Sequence, residues 1–405
     1  MTLEDFLPGL TRHASWQLRL YTDLHRQPEL SGEEKKTAVR VEQELQDLGL
    51  ETRRFGGTGV VAALENGEGP TVLGRADLDA LPVMEATGLD YASETPGVMH
   101  ACGHDAHVAG LMGAVRALHE QREHWRGTYI AVFQPAEELG SGAHAMVADG
   151  LTHAFPRPDA CFAAHVLPGP PGQVLSAPGP VMSALDVIRV VVYGRGGHGS
   201  MPHLTVDPVV LAAAIVQRLQ GIVAREIAPG TFAIVTVGSL HAGSTSNIIS
   251  NSAELQVDVR SYDEDVQDRL RAAVERIVRA ECAASGSPRE PEFHYDVPCP
   301  VTVNDAGLTA TVSAAFRDAF GQDAVPASRV TASEDFDAIP AAFDSPYCYW
   351  FVGSTPHELW EAATAGEFGA DIPSNHSPAF APAPEPTLER LSASHIAAAL
   401  TLLRR

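Results

Sequence analysis

The densest chemistry in the chain lies in His100-Ala101-Cys102-Gly103-His104-Asp105-Ala106-His107, where a thiol, imidazoles and a carboxylate share one short segment. Cys and His offer sulfur and nitrogen donors to a borderline-soft divalent ion. The glycine between Cys102 and His104 lets the backbone aim both side chains at one centre. After His104, apolar Val108, Leu111, Met112, Val115 and Leu118 recur at helical spacing. Cys102 and His104 are therefore expected just before or within a first helical turn, where the helix dipole and a bound cation both favour a thiolate. Taken alone, the segment also fits a buried free thiol beside hydrogen-bonded histidines.

What would position these groups is a recurring pattern of short apolar strands that end in acids or histidines. The run 71–76 gives way to Asp77-Leu78-Asp79, and 128–133 gives way to Gln134-Pro135-Ala136-Glu137-Glu138. The run 159–164 meets His165, and 347–352 precedes the loop holding Asn375-His376-Ser377-Pro378. In an open α/β sheet a ligand lies outside the carboxyl ends of the strands, so these ends should converge on the Cys102/His104 loop. Cys102, His104, Glu138, His165 and His376 then form a donor set too large for one tetrahedral ion with an open position. The set suits two ions sharing a bridging carboxylate or water, which together polarise a carbonyl and acidify that water. Of the adjacent Glu137 and Glu138, one can ligate while its neighbour takes and returns a proton; a bare Glu-Glu pair is otherwise a solvated loop. Asp77 and Asp79 could orient a ligand imidazole through its second nitrogen, or cap the following turn.

Around this frame the N-terminus reads as a helix to about Arg26, with Leu18, Tyr21, Thr22 and His25 on one face. A second helix should open at Ser31 through a capping box with Glu34 and close at Gly49. Between about Ala184 and Val297 the rhythm becomes strand 185–193, helix 207–226, strands 231–239 and 253–260, helix 264–283 and strand 291–297. That β-α-β-β-α-β order is the ferredoxin-like split motif. The expected architecture is thus an α/β domain, residues 1–183 and 299–405, with a mixed or parallel sheet flanked by helices, and an inserted α+β domain, 184–298. Helices over 304–320 and 384–405 should return to the first domain. In the insert, the glycine-rich run 194–200 matches neither the P-loop nor the dinucleotide pattern, and suits a flexible loop presenting His198 to a developing oxyanion. Asn247 and Arg260 flank the strand that follows, and an arginine fork there suits either a substrate carboxylate or a surface ion pair.

Composition narrows the function classes. The chain has 405 residues, 45% of them hydrophobic, enough for two domains and a large core. A net charge of -23 argues against nucleic acid and anionic membrane surfaces as partners. No run of about 18 apolar residues suggests a membrane span, and the start lacks the basic and apolar regions of a secretory signal. The five cysteines form no disulfide framework, so the expected compartment is the reducing cytoplasm.

Several segments resemble one known family. Gly74-Arg75-Ala76-Asp77-Leu78-Asp79-Ala80-Leu81-Pro82, Met99 to Asp105, Phe133 to Glu138, Gly197 to His203, Asn247-Ile248-Ile249 and Ser333-Glu334-Asp335-Phe336 are similar to signatures of the dinuclear metallo-amidohydrolases. The branch is that of hippurate hydrolase, plant indole-3-acetyl-amino acid hydrolases and bacterial N-acyl-amino acid amidohydrolases. The resemblance implies two divalent ions (Mn, Zn, Co or Ni) on Cys102, His104, Glu138, His165 and His376. It implies Glu137 as general acid/base toward a metal-bound hydroxide and Asp79 as the acid behind a ligand. His198 would steady the oxyanion, reaching into a partner subunit, and Asn247 and Arg260 would bind the substrate's carboxylate side. It also implies an inserted domain that acts as a lid and joins two subunits in a homodimer or higher homo-oligomer. The expected reaction is hydrolysis of the amide bond of a small N-acyl amino acid. Alternatives are a dipeptidase or an N-acetyl-diaminopimelate-type deacetylase using the same site, and a non-catalytic metal-dependent binding protein. The motif Glu334-Asp335 carries no physical role on sequence grounds.

Overall fold

Apolar runs rich in β-branched and aromatic residues, such as Val72-Leu73, Ile130 to Phe133 and Trp350 to Val352, are buried on both faces, as a sheet covered on two sides requires. In the computed structural model, which describes residues 3–296, 298–367 and 369–404, they form the middle of an eight-stranded mixed sheet. Its order is Thr52–Phe55, Gly59–Asn66, Gly127–Gln134, Thr71–Asp77, Ala160–Leu167, Tyr347–Gly353, Val174–Ser176 and Ala324–Pro326. The four strands Gly127–Gln134, Thr71–Asp77, Ala160–Leu167 and Tyr347–Gly353 run parallel. Their carboxyl ends therefore open on one edge of the sheet, where ligands bind in such folds.

Two helices pack one face of this sheet through close backbone approach. Helix His104–Glu120 is buried almost all round, with Leu111, Met112, Val115 and Leu118 at 0% exposure, each contributing about 1.5–3 kcal/mol by burial. Helix Pro384–Leu403 lies against it so tightly that a Cβ on Gly110 would stand 2.5 Å from Leu391 Cβ. Helix Leu7–Arg26 packs on both. Its buried face is Gln17, Leu20, Tyr21, Leu24 and His25, so the expected Tyr21 and His25 lie on it, whereas Leu18 is 39% exposed and Thr22 half-buried. Gln17 explains the shift: its Nε2 donates to the carbonyls of Ala109 and Leu388 and to Ser392, a polar contact that apolar periodicity does not register.

The expected capping box also fails. The second helix runs Lys35–Asp47, and its first free amides, Lys36 N and Thr37 N, donate to Glu29 at 2.8 Å. Ser31 and Glu34 are drawn elsewhere, Ser31 Oγ to Asp79 and Glu34 to the amides of Gly32 and Ala136 and the hydroxyl of Thr58. His165, expected in a loop, sits inside the strand Ala160–Leu167.

The chain divides into two compact units: Met1–Val181 with Val303–Ser328 and Asp335–Arg405, and Met182–Thr302 with Arg329–Glu334. The second has its own core and a four-stranded antiparallel sheet ordered Ala233–Ala242, Ser252–Ser261, Ala184–Tyr193 and Glu292–Tyr295. The expected helix 207–226 is divided at Gln220 into Pro208–Leu219 and Gly221–Glu226. That segment is long and apolar enough to cross a membrane by composition, with a mean hydropathy of 1.3. Leu211, Ala212, Ile215, Leu219 and Ile222 instead point into the core of the second unit. Val297, read as the end of the last strand, and Arg405, read as the end of the last helix, lie outside the described residues.

Candidate metal centre

The Cys102/His104 turn is set by one glycine. Gly103 has φ +88 and precedes the first residue of the helix, and a Cβ there would stand 2.5 Å from Val166 Cγ2 and 3.0 Å from Pro382 Cγ. Only glycine fits that conformation in that space. With the backbone so turned, Cys102 Sγ lies 3.3 Å from His165 Nε2 across 63 positions of chain. His165 Nδ1 donates to the Val166 carbonyl at 2.7 Å, so Nε2 keeps its lone pair, and burial holds the ring well below the usual histidine range, hence neutral.

His104 is oriented the same way. Its Nδ1 donates to Asp79 Oδ1 at 3.2 Å, and its buried Nε2 has no hydrogen-bond partner among the described residues. That nitrogen faces Glu137 Oε2 at 3.8 Å and Glu138 Oε1 at 3.9 Å. Burial works against a charged ring, yet Asp77 and Asp79 outweigh it and lift His104 to about 10, so the surroundings favour positive charge at that ring. Asp79 does two things at once, because its other oxygen accepts the Glu138 amide at 3.0 Å. Burial raises the Asp79 carboxyl, but the bond from His104 holds it below the usual range.

Glu137 and Glu138 follow Ala136, whose φ of +47 is unusual for a residue with a side chain. The Ala136 amide donates to the fully buried Glu34, which secures the turn. His376 has φ +68, and its amide donates to the Ala101 carbonyl at 2.8 Å. This brings its ring to 3.4 Å from Glu138 Oε1. Two non-glycine residues in the left-handed region at one site are strain of about 1–3 kcal/mol each, held by the surrounding hydrogen bonds. Asn375 completes the joint, its Nδ2 donating to the carbonyls of Cys102 and Val166.

The donors form overlapping groups in which ligand atoms lie within 4.8 Å of one another: Cys102, His104 and His165; Cys102, Glu138 and His376; His104, Glu137 and Glu138. Cys102 and Glu138 each belong to two groups, and His104 belongs to three, the third with Asp77 and His107. A divalent cation fits these residues. Among the described residues His104 Nε2 and Glu138 Oε1 are buried without hydrogen-bond partners, and burial together with Glu138 and Glu137 pushes the Cys102 thiol well above its usual range, a bias that a nearby cation reverses.

His198, Asn247 and Arg260 lie in the second unit. His198 is on the two-stranded ribbon Gly197–His198 with Ile248–Ile249, and its Nδ1 accepts the Ser200 amide at 3.1 Å, which leaves the proton of the neutral ring on Nε2. The Asn247 carbonyl accepts the Gly199 amide at 2.8 Å. The Arg260 fork is engaged: Nε and Nη2 donate to Asp258, and Nη1 to the Thr331 carbonyl and Ser333 Oγ.

Other groups at the site escaped sequence reasoning. His107 Nδ1 donates to Asp77 at 2.6 Å while its Nε2 accepts the Val166 amide, tying the helix to the strand that bears His165. Its position three residues after His104, one helical turn on, was a usable signal. Arg75, fully buried, bonds Asp77 and Gln134, and a charge inside an apolar strand was itself a sign of a buried partner. Asp335 receives the role the sequence withheld: it accepts from Gln134 Nε2 at 2.5 Å and from the Ala143 amide at 3.0 Å, clamping both flanks of the Glu137-Glu138 turn.

Comparison with known proteins agrees with this geometry. The sequence profile of peptidase family M20/M25/M40 matches residues 73–365. Thermostable carboxypeptidase 2 of Saccharolobus solfataricus is 36% identical over 345 residues, covering 84% of this chain and 86% of the other. An N-acyl-L-amino acid amidohydrolase of Geobacillus stearothermophilus is 39% identical over 276 residues, 67% of this chain and 74% of the other. A crystal structure from Bacillus subtilis, described as a dinuclear metal-binding peptidase of the M20 family, superposes with a TM-score of 0.77 at 27% identity, covering 96% of this chain and 98% of that one. With the parallel strand ends, the donor cluster and these relatives in agreement, the chain belongs to peptidase family M20/M25/M40 and is a hydrolase.

Proposed function

We propose that this chain hydrolyses the amide bond of small N-acyl amino acids, and that Cys102, His104, Glu138, His165 and His376 hold two divalent ions of the Mn, Zn, Co or Ni type. The observation that carries the reading is the three overlapping donor groups around the unpartnered His104 Nε2 and Glu138 Oε1. When bound, such ions polarise the scissile carbonyl and lower the pKa of a water. The residues supply the rest. The Glu137 carboxylate takes the proton of the attacking water and returns it to the leaving amine nitrogen. Asp79 holds His104 through Nδ1 and the Glu138 turn through its amide, so one carboxylate keeps two ligands in register. His198 is assigned to the carbonyl oxygen as it gains charge, through Nε2–H. Asn247 and Arg260 are assigned to the substrate carboxylate, for which Arg260 would exchange its bonds to Asp258.

The second unit is proposed as a lid that also joins two copies. Its strand Ala233–Ala242 is the outermost of the sheet among the described residues, and Val209, Val210 and Leu240 are exposed on the same unit. Five free, buried cysteines support a reducing compartment, the cytoplasm.

The test is release of free amino acid from N-acetyl, N-benzoyl and indole-acetyl amino acids after chelation and again after adding Mn, Co, Zn or Ni. Metal-restored turnover on some members is expected. Identity to a carboxypeptidase favours a second reading, cleavage of small peptides, so dipeptides and N-acetyl-diaminopimelate belong in the same panel. Turnover of those alone would replace the first reading, and turnover of none with metals bound would leave a binding protein.

A further inference from the structure

The Cys102-Gly103-His104 turn depends on support from outside itself, because glycine at φ +88 supplies no side-chain contact of its own and neither ring nitrogen of buried His100 has a hydrogen-bond partner among the described residues. That support converges on one imidazole. His25, in the last turn of the first helix and 0% exposed, brings Nδ1 to 2.6 Å from Asp105 Oδ2 and Nε2 to 3.3 Å from Glu85 Oε1. Asp105 directly follows His104, and its other oxygen accepts the Ala106 amide at 3.0 Å, so His25 grips the first turn of the helix that carries His104. Glu85 accepts the Ser93 amide at 2.6 Å and the Thr87 hydroxyl, and so gathers a segment that has no helix or strand of its own. The rings of Tyr21 and Tyr91, at 5.8 and 5.4 Å, fix the plane of His25. Tyr21 in turn donates to the Pro382 carbonyl at 3.0 Å, and Pro382 backs Gly103 from behind.

We infer that His25 is a positioning residue for the metal centre: through Asp105 it sets the direction in which Cys102 Sγ and His104 Nε2 face. The inference rests on the reading of Cys102 and His104 as ligands. Its logic is mechanical. Phenylalanine in place of His25 would fill the space between the tyrosines but leave two buried carboxylates without their shared partner. The first helical turn would then settle in more than one orientation.

Cobalt(II) tests this independently of turnover, since a cobalt–thiolate bond gives a near-ultraviolet charge-transfer band. Wild-type protein, His25→Phe, His25→Gln and Asp105→Asn would be titrated with cobalt against a competing chelator, with circular dichroism to establish folding. The expected result is cobalt affinity reduced about tenfold in His25→Phe, with a weaker or shifted thiolate band and partial recovery in His25→Gln, whose amide keeps one donor. In turnover, kcat should fall with KM unchanged. A folded His25→Phe protein with wild-type affinity and band overturns the inference. If His25→Phe does not fold, Asp105→Asn decides: weakened cobalt binding supports the assignment and unchanged binding refutes it. Wild-type protein that binds cobalt with no thiolate band refutes the Cys102 assignment itself, a separate failure that takes this inference with it.

Discussion

Gly103→Ala is the most informative single change, because its cost follows from geometry and it sits between Cys102 and His104, the two donors whose angle it sets. A residue with a side chain held at φ +88 pays about 1–2 kcal/mol for the left-handed backbone. The added methyl would meet Val166 Cγ2 at 2.5 Å and Pro382 Cγ at 3.0 Å, overpacking worth about 1–3 kcal/mol more. The first unit should therefore lose about 2–5 kcal/mol. All four tryptophans, Trp16, Trp125, Trp350 and Trp360, lie in that unit, so their fluorescence reports its unfolding and not that of the second. Urea titration of chelated protein should show a midpoint lower by about 1 M. Gly221→Ala is the control: it sits in a helix of the second unit with nothing within 4 Å of the new methyl, and should stabilise by about 0.5–1 kcal/mol without moving the tryptophan signal. An unchanged midpoint in Gly103→Ala would show that the loop tolerates a side chain and would remove the argument that glycine sets the angle between Cys102 and His104.

Glu137→Gln should lower turnover by about 10²–10⁴-fold while bound metal, measured by elemental analysis, stays the same; near-normal turnover would end its assignment as acid/base. Asp335→Ala withdraws the acceptor for Gln134 and the Ala143 amide and deprives buried Arg75 of a nearby charge, which should cost about 3–5 kcal/mol in urea unfolding. No change in midpoint would cancel its role as a clamp. Burial lowers His25, but Asp105 and Glu85 outweigh it and raise the ring to about 9 from its usual 6.5. A raised folded-state pKa contributes stability that is complete below 6.5 and lost as pH climbs through about 9. The stability difference between wild type and His25→Phe should therefore shrink from pH 6 to pH 10, about the span of that titration, and a flat difference would contradict it.

Much of the site could be read because its residues announce themselves by type. Cys102, His104, Glu137, Glu138, His165 and His376 were expected together, and the structure brings their ligand atoms into overlapping groups. The central strands were visible too, since runs such as 128–133 are short, apolar and rich in β-branched and aromatic residues, which favours a covered strand. Less visible were the groups behind these donors. Asp335 reaches Gln134 across 201 positions and His25 reaches Asp105 across 80, and neither pairing has a local pattern.

The sequence by itself determined the element types, the ferredoxin-like order of the second unit and the inventory of donors, because hydrophobic periodicity and residue chemistry are local properties. Tertiary structure alone decided which competing local bond forms. Ser31 and Glu34 could have closed a capping box, but Asp79 and the Ala136 amide offer them buried partners, and Glu29 caps the helix instead. Leu18 could have faced the core, but Gln17 finds carbonyls from two other helices there. The reason is general: a buried polar group left unsatisfied costs about 1–3 kcal/mol, more than a cap or one leucine's placement on a helix face decides, so the partners that burial supplies override the pattern along the chain.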